Sequence, residues 1–176
     1  MRDDLLIIDG FLEPAVCNEL VAIGLPGLEY GRHDCHARLV FDPGLVADLV
    51  RQVSEQLRAW FGIEEPLYCD YAAATRSTEG MSHVAHADAE TLDGEPNHTH
   101  WRLVTAMLYL NTMGEDFTGG ELEFPRLGQV VQPVAGRLVG FRCDGIHTHA
   151  VPAVTSGERR AMAFWYTRDP QWQGLE

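Results

Sequence analysis

Cysteine is sparse and unpatterned in this chain. Four residues (Cys17, Cys35, Cys69 and Cys143) are scattered over 176 positions with no C-x-x-C spacing. That excludes a zinc-knuckle pattern and points to free thiols in a reducing compartment. Basic residues are scarce as well. Lys and Arg total 13 against 26 Asp and Glu, for a formal net charge of -13. Such a balance opposes attraction to phosphate backbones and argues against a nucleic-acid partner. Long apolar runs are missing too. The N-terminal stretch offers only Leu5 to Ile8, too short for a signal-peptide core or a membrane span, so no membrane association and a cytoplasmic location are expected. There is no repeat, low-complexity tract or linker, and the length suits one domain over 1–176.

What is present divides in two. Residues 1–65 read as a helical support region. Leu5 to Asp9 predicts a short strand, and Pro14 opens a helix with Val16, Leu20 and Ile23 on its apolar side. Gly24 to Gly31 reads as loop, and His33 and His36 as exposed loop residues. The clearest helix is Leu45 to Phe61, where Val46, Leu49, Val53, Leu57 and Trp60 recur at three- and four-residue steps. From 66 to 170 the pattern changes to short strands between Gly and Pro. Strands are predicted at Leu67–Ala74, Met81–Asp88, Arg102–Asn111, Glu121–Phe124, Val130–Gln132, Gly136–Phe141, His149–Val154 and Arg160–Thr167. The expected fold is mainly β with supporting helices: a double-stranded β-helix (jelly roll, cupin-like) with N-terminal helices packed on one sheet.

The chemistry centres on His86-Ala87-Asp88. Residues two apart on a strand share a face, so one imidazole and one carboxylate can aim at one point. A further histidine would complete a 2-His-1-carboxylate facial triad with open positions on a non-heme Fe(II). His147 and His149 both qualify, and period-two reasoning does not separate them. His83 competes with His86, but only His86 has an acid two residues on. No Ser-His-Asp arrangement stands out.

Further motifs follow in order. They are Tyr109-Leu110-Asn111, Asp116-Phe117-Thr118-Gly119-Gly120-Glu121, Pro133-Val134-Ala135-Gly136 with Phe141 five positions on, then His149, Arg159 and Trp165-Tyr166-Thr167. With His86-Ala87-Asp88 and Pro96-Asn97-His98-Thr99, this series resembles the Fe(II)- and 2-oxoglutarate-dependent dioxygenases of the prolyl hydroxylase-like group, nearest the prolyl 3-hydroxylase (leprecan-like) catalytic domain. The resemblance implies His86, Asp88 and His149 as metal ligands, Arg159 as the anchor of the 2-oxoglutarate distal carboxylate, and Tyr109 as its hydrogen-bonding partner. Arg160 is the rival to Arg159. Strand neighbours face opposite ways, and the ten-residue spacing from His149 seen in the group favours Arg159.

The implied activity is hydroxylation of an unactivated C–H in a prolyl-type residue of a protein or peptide, with O2 as co-substrate, release of succinate and CO2, and ascorbate as a candidate reductant. The same chemistry on a free amino acid or small natural product is the alternative, and a non-catalytic cupin-like metal-binding module is another. Asp88 speaks against halogenation. Arg76, Arg102 and Arg142 are candidate contacts, each more readily read as structural, and Trp165 is placed to wall the pocket. The polar loop from Ala89 to Trp101, with His98 and His100, and the segment from Gly24 to Pro43 are the expected carriers of substrate choice. Sequence leaves the oligomeric state and the roles of His83, His98, His100, Trp101 and His147 open.

Overall fold

The computed structural model describes residues 4–23 and 34–174. The loop expected at Gly24–Gly31, and His33, lie outside them. In chain order the elements are β1 (Leu6–Ile8), α1 (Pro14–Ala22), β2 (Asp34–His36), α2 (Pro43–Phe61), β3 (Tyr68–Thr78), β4 (His83–His86), β5 (Val104–Tyr109), β6 (Phe117–Gly119), β7 (Leu122–Phe124), β8 (Gln129–Val131), β9 (Leu138–Arg142), β10 (His149–Val151) and β11 (Val154–Thr167). One sheet runs β1-β9-β5-β11-β3-β2, with β6 also paired to β11, and a smaller sheet runs β4-β10-β7-β8. All pairings among these strands are antiparallel. Two such sheets with helices on one side make the expected jelly roll.

Side-chain alternation on β11 organises the interior. Met162, Phe164 and Tyr166 are fully buried against the helices, in a cluster with Val46, Leu49, Val53 and Leu57 of α2. Each such side chain contributes roughly 1.5–3 kcal/mol on burial. The Tyr166 hydroxyl adds a 2.7 Å hydrogen bond to the Val50 carbonyl. Helix α2 starts cleanly because the Asp42 carboxylate accepts from the Leu45 N–H at 2.9 Å and Pro43 takes a position that needs no donor. It stops at Gly62, whose left-handed φ of 64° suits glycine.

The opposite face of β11 looks between the sheets. There Arg159, Ala161, Ala163 and Trp165 stand opposite Ser77, Thr75, Ala73 and Tyr71 of β3. Ala161, Ala163 and Trp165 also face Tyr109, Met107 and Thr105 of β5. Alanines at 73, 161 and 163 keep the side chains on this face short, and all three are buried.

Three expectations need correction. Residues 1–65 supply more than the one short strand expected at Leu5–Asp9, which is β1, because β2 also joins the larger sheet. His36 is not an exposed loop residue. It sits in β2, half-buried, edge-on to the Tyr71 ring at 5.1 Å, and its Nδ1 accepts from the Arg38 N–H. β3 and β11 are longer than predicted, because Arg76 and Glu158 pair across the outer face and keep polar positions in the ladder.

Candidate active site

β4 and β10 bring the two imidazoles together. His86 ends β4, His149 begins β10, and they are register partners with ring centroids 4.4 Å apart. Asp88 lies in a bend just beyond β4, so chain curvature carries its carboxylate to the site rather than strand pleating. Its Oδ1 is 3.8 Å from His86 Nε2. One donor atom from each of His86, Asp88 and His149 falls within 4.8 Å of the others, the sole such cluster among the described residues. Asp88 and His149 are 6 % and 7 % exposed, whereas the His86 side chain is 43 % exposed and opens the site to solvent.

Hydrogen bonds fix the orientation of each group. His86 Nδ1 lies 2.8 Å from the Val84 carbonyl, and His149 Nδ1 lies 3.0 Å from the His147 carbonyl. A carbonyl only accepts, so each ring donates from Nδ1 and turns a bare Nε2 inward, the tautomer a metal needs. Burial holds the His149 pKa below its usual value, which also favours the neutral ligand form. Asp88 Oδ2 accepts from the Thr105 hydroxyl at 2.6 Å, and Cys143 Sγ lies 3.2 Å behind that hydroxyl. With the Thr105 proton committed to the carboxylate, the thiol is the group left to donate. Burial raises the Cys143 pKa well above normal and keeps it protonated. A carboxylate oxygen and two imidazole nitrogens on one side of a point suit a divalent metal with open positions.

Farther along β11, Arg159 is 2 % exposed and Tyr109 wholly buried. Arg159 Nε donates to the Gly120 carbonyl at 2.9 Å, and its Cζ lies 5.2 Å from the Tyr109 ring centroid. Gly120 has φ +74°, and a Cβ there would come within 3.0 Å of Arg159 Cδ. Glycine therefore lets the arginine pass. Asn111 grips the strand on both sides, donating to the Glu158 carbonyl at 2.7 Å and accepting from the Arg160 N–H at 2.9 Å. Yet Arg159 Nη2 and the Tyr109 hydroxyl complete no hydrogen bond of acceptable geometry. Burial raises the Tyr109 pKa, with the nearby guanidinium opposing, so the hydroxyl keeps its proton. Two buried donors without acceptors are costly unless a ligand supplies the acceptor. A carboxylate fits both, and an oxoacid reaching from the metal fits the whole arrangement.

The rival residues are engaged elsewhere. His147 is 5 % exposed; Nδ1 is 2.6 Å from Asp144 Oδ1 and Nε2 is 3.2 Å from the Asp4 carbonyl, so neither nitrogen is free for a metal. Arg160 turns to the other face and pairs with Glu158 at 2.9 Å, a carboxylate it shares with Arg76. Arg142 lies over the Phe61 ring. His83 pairs in register with Val151 across a β-bulge and lies outside the cluster of candidate ligand atoms.

A cleft of about 470 Å³ opens on His86 and Asp88, walled further by Thr91, His98, Arg102 and Trp165. Arg102 is held by Asp70 at 2.6 Å and stacks over Trp165. His100 and Trp101 border a neighbouring cleft that shares Arg102. Thr105, Cys143 and the gripping role of Asn111 escaped sequence reasoning. The available signal was one polar residue, Thr105, inside the apolar stretch Leu103–Leu110.

Comparison with known proteins agrees with this geometry. Human prolyl 3-hydroxylase 2 is 32% identical over 161 residues, covering 80% of this chain but 22% of its own length. Human prolyl 3-hydroxylase 1 is 36% identical over 147 residues, covering 72% of this chain and 19% of its own. The chain thus spans about a fifth of the curated relatives it matches. Among solved structures, the viral collagen prolyl hydroxylase vCPH from Paramecium Bursaria Chlorella virus-1, in its 2OG complex, superposes with TM-score 0.74 at 23% identity, covering 93% of this chain and 96% of that one. A Pseudomonas putida prolyl-4-hydroxylase gives TM-score 0.67 at 22% identity, with 94% and 93% covered. The family description "2OG-Fe(II) oxygenase superfamily" matches residues 72–167, the span that holds both the triad and the Arg159–Tyr109 pair. The chain belongs to that superfamily.

Proposed function

We propose that this chain hydroxylates a prolyl-type residue in a protein or peptide, with His86, Asp88 and His149 holding the iron and Arg159 and Tyr109 anchoring the distal carboxylate of 2-oxoglutarate. The observation that carries the reading is the pairing of a converging His-Asp-His triad with two buried, unpartnered donors farther along the same interior. A metal site alone has no use for the second feature. The names of the relatives, prolyl 3-hydroxylases and a collagen prolyl hydroxylase, support a prolyl substrate.

Iron with 2-oxoglutarate and O2 supplies the oxidation, turning the oxoacid into succinate and CO2 as a C–H becomes C–OH. The chain's own residues position the reactants. Thr105 fixes one carboxylate oxygen of Asp88 and leaves the other for the metal. The Val84 and His147 carbonyls hold the imidazole tautomers. Phe141 lies 4.7 Å and Phe124 5.9 Å from the His149 ring, walling that ligand away from water. In the cleft, Trp165 offers an apolar wall, a surface suited to a prolyl ring.

The test is succinate release from iron-loaded protein. Proline-containing peptides should stimulate it well above the uncoupled rate, with one hydroxyl added to proline by mass spectrometry. Stimulation by free amino acids alone would replace the peptide reading with the small-molecule one.

A further inference from the structure

A third polar atom is stranded beside the Arg159–Tyr109 pair. Ser77 is 2 % exposed, and its hydroxyl has no hydrogen-bond partner. Ser77 and Arg159 are register partners in the β3–β11 ladder, so their side chains leave the sheet on the same face, toward the interior. Its neighbour on that face, Thr75, is different: the Thr75 hydroxyl donates to the Ala161 carbonyl at 3.0 Å. Of the two aliphatic hydroxyls on the interior face of β3, one is therefore satisfied and one is not. An alcohol buried without a partner is costly, and alanine or valine would fill the position without that cost. Ser77, Tyr109 and Arg159 come from three adjacent strands, β3, β5 and β11, and all three leave a donor unused.

We infer that Ser77 is a third anchor for the distal carboxylate of the oxoacid, donating its hydroxyl proton to the carboxylate that Arg159 and Tyr109 also bind. The inference rests on the assignment of 2-oxoglutarate to this interior. A carboxylate has about four lone-pair directions. A guanidinium N–H, a phenol and an alcohol approaching from three strands can share them, which selects a dianionic oxoacid with a distal carboxylate over a shorter one that stops at the metal. Ser77 is thus a specificity-determining residue, favouring 2-oxoglutarate over oxoacids without a second carboxylate.

The experiment compares wild type with Ser77→Ala by anaerobic calorimetry on Mn(II)-loaded protein, using 2-oxoglutarate and, as a probe of the metal end alone, oxalate. Loss of one hydrogen bond to a charged group should weaken 2-oxoglutarate binding about tenfold, with oxalate binding unchanged within twofold. The melting temperature of the metal-free variant should equal or exceed that of wild type, because the substitution removes an unpaired hydroxyl. A purely structural serine would give the opposite sign. Equal 2-oxoglutarate affinity in the two proteins, or an equal fall for both ligands, overturns the role of Ser77 alone. Failure of the wild type to bind 2-oxoglutarate overturns the cofactor assignment itself, and this inference with it.

Discussion

Replacing Thr105 with valine exchanges a hydroxyl for a methyl group at constant shape, on a strand where valine is at home. The hydroxyl is 1 % exposed and donates to Asp88 Oδ2 at 2.6 Å, and Asp88 is itself 6 % exposed. A hydrogen bond to an ionised group is worth about 1.5–3 kcal/mol, and removing an outer partner of a metal ligand typically weakens metal binding about 10–100-fold. The two figures agree, since about 1.4 kcal/mol is one factor of ten. Water cannot readily replace the donor in so closed a place, and the Cys143 thiol, 3.2 Å behind, loses its acceptor. Anaerobic Co(II) titration followed in the visible should show Thr105→Val binding metal about 10–100-fold more weakly, with Thr105→Ser close to wild type. Metal affinity in the valine variant within about threefold of wild type would refute the claim that this hydroxyl fixes the ligand.

His147→Ala should keep metal affinity within about twofold of wild type while lowering the melting temperature by roughly 5–10 °C, because a buried ring with both nitrogens engaged is lost; scanning calorimetry and the same Co(II) titration separate the effects. Gly140→Ala would put a Cβ 2.5 Å from Leu57 Cδ2, where β9 meets α2. Urea unfolding should show a loss of about 1–3 kcal/mol. Glu158 is held below the usual carboxylate range, chiefly by its hydrogen bond from Arg76 and then by Arg160. A depressed folded pKa contributes stability that is present above the ordinary glutamate value and lost as pH falls through the folded one. Glu158→Gln should therefore unfold less steeply than wild type between about pH 4.5 and pH 3, as followed by acid titration of circular dichroism.

Much of the fold was legible because its periodicities are local. The three- and four-step pattern of α2 and the apolar β5 needed no tertiary knowledge. β3 and β11 came out short because their ends carry Arg76, Thr78, Ser156 and Glu158, polar residues that read as loop. Cross-strand pairing of Arg76 with Glu158, 82 positions away, makes them strand. The candidate ligands were readable from spacing and resemblance, but the route to them was not. Strand alternation was expected to aim Asp88, whereas a bend does so. The choice between His147 and His149 turns on Asp144 and on Asp4, the latter 143 residues from His147. Asp144 is a near neighbour, but no local pattern reveals the contact with Asp4. Ser77 and Thr105 stayed silent for the same cause: a hydroxyl's importance lies in which neighbours it has, or lacks.

The cleft loop is bolted directly to the backbone of Asp88, one of the proposed ligands. The Thr99 hydroxyl donates to the Asp88 carbonyl at 2.6 Å, and the Asn97 amide reaches the carbonyls of Ala87 and Glu90. Any guest that pushes on His98 thereby tugs on Asp88 through the Thr99 hydrogen bond and on its neighbours through Asn97. Spectral bands of a Co(II)-substituted site should shift when a molecule settles in the cleft, even one that never touches the ion, so the centre doubles as a built-in gauge of occupancy.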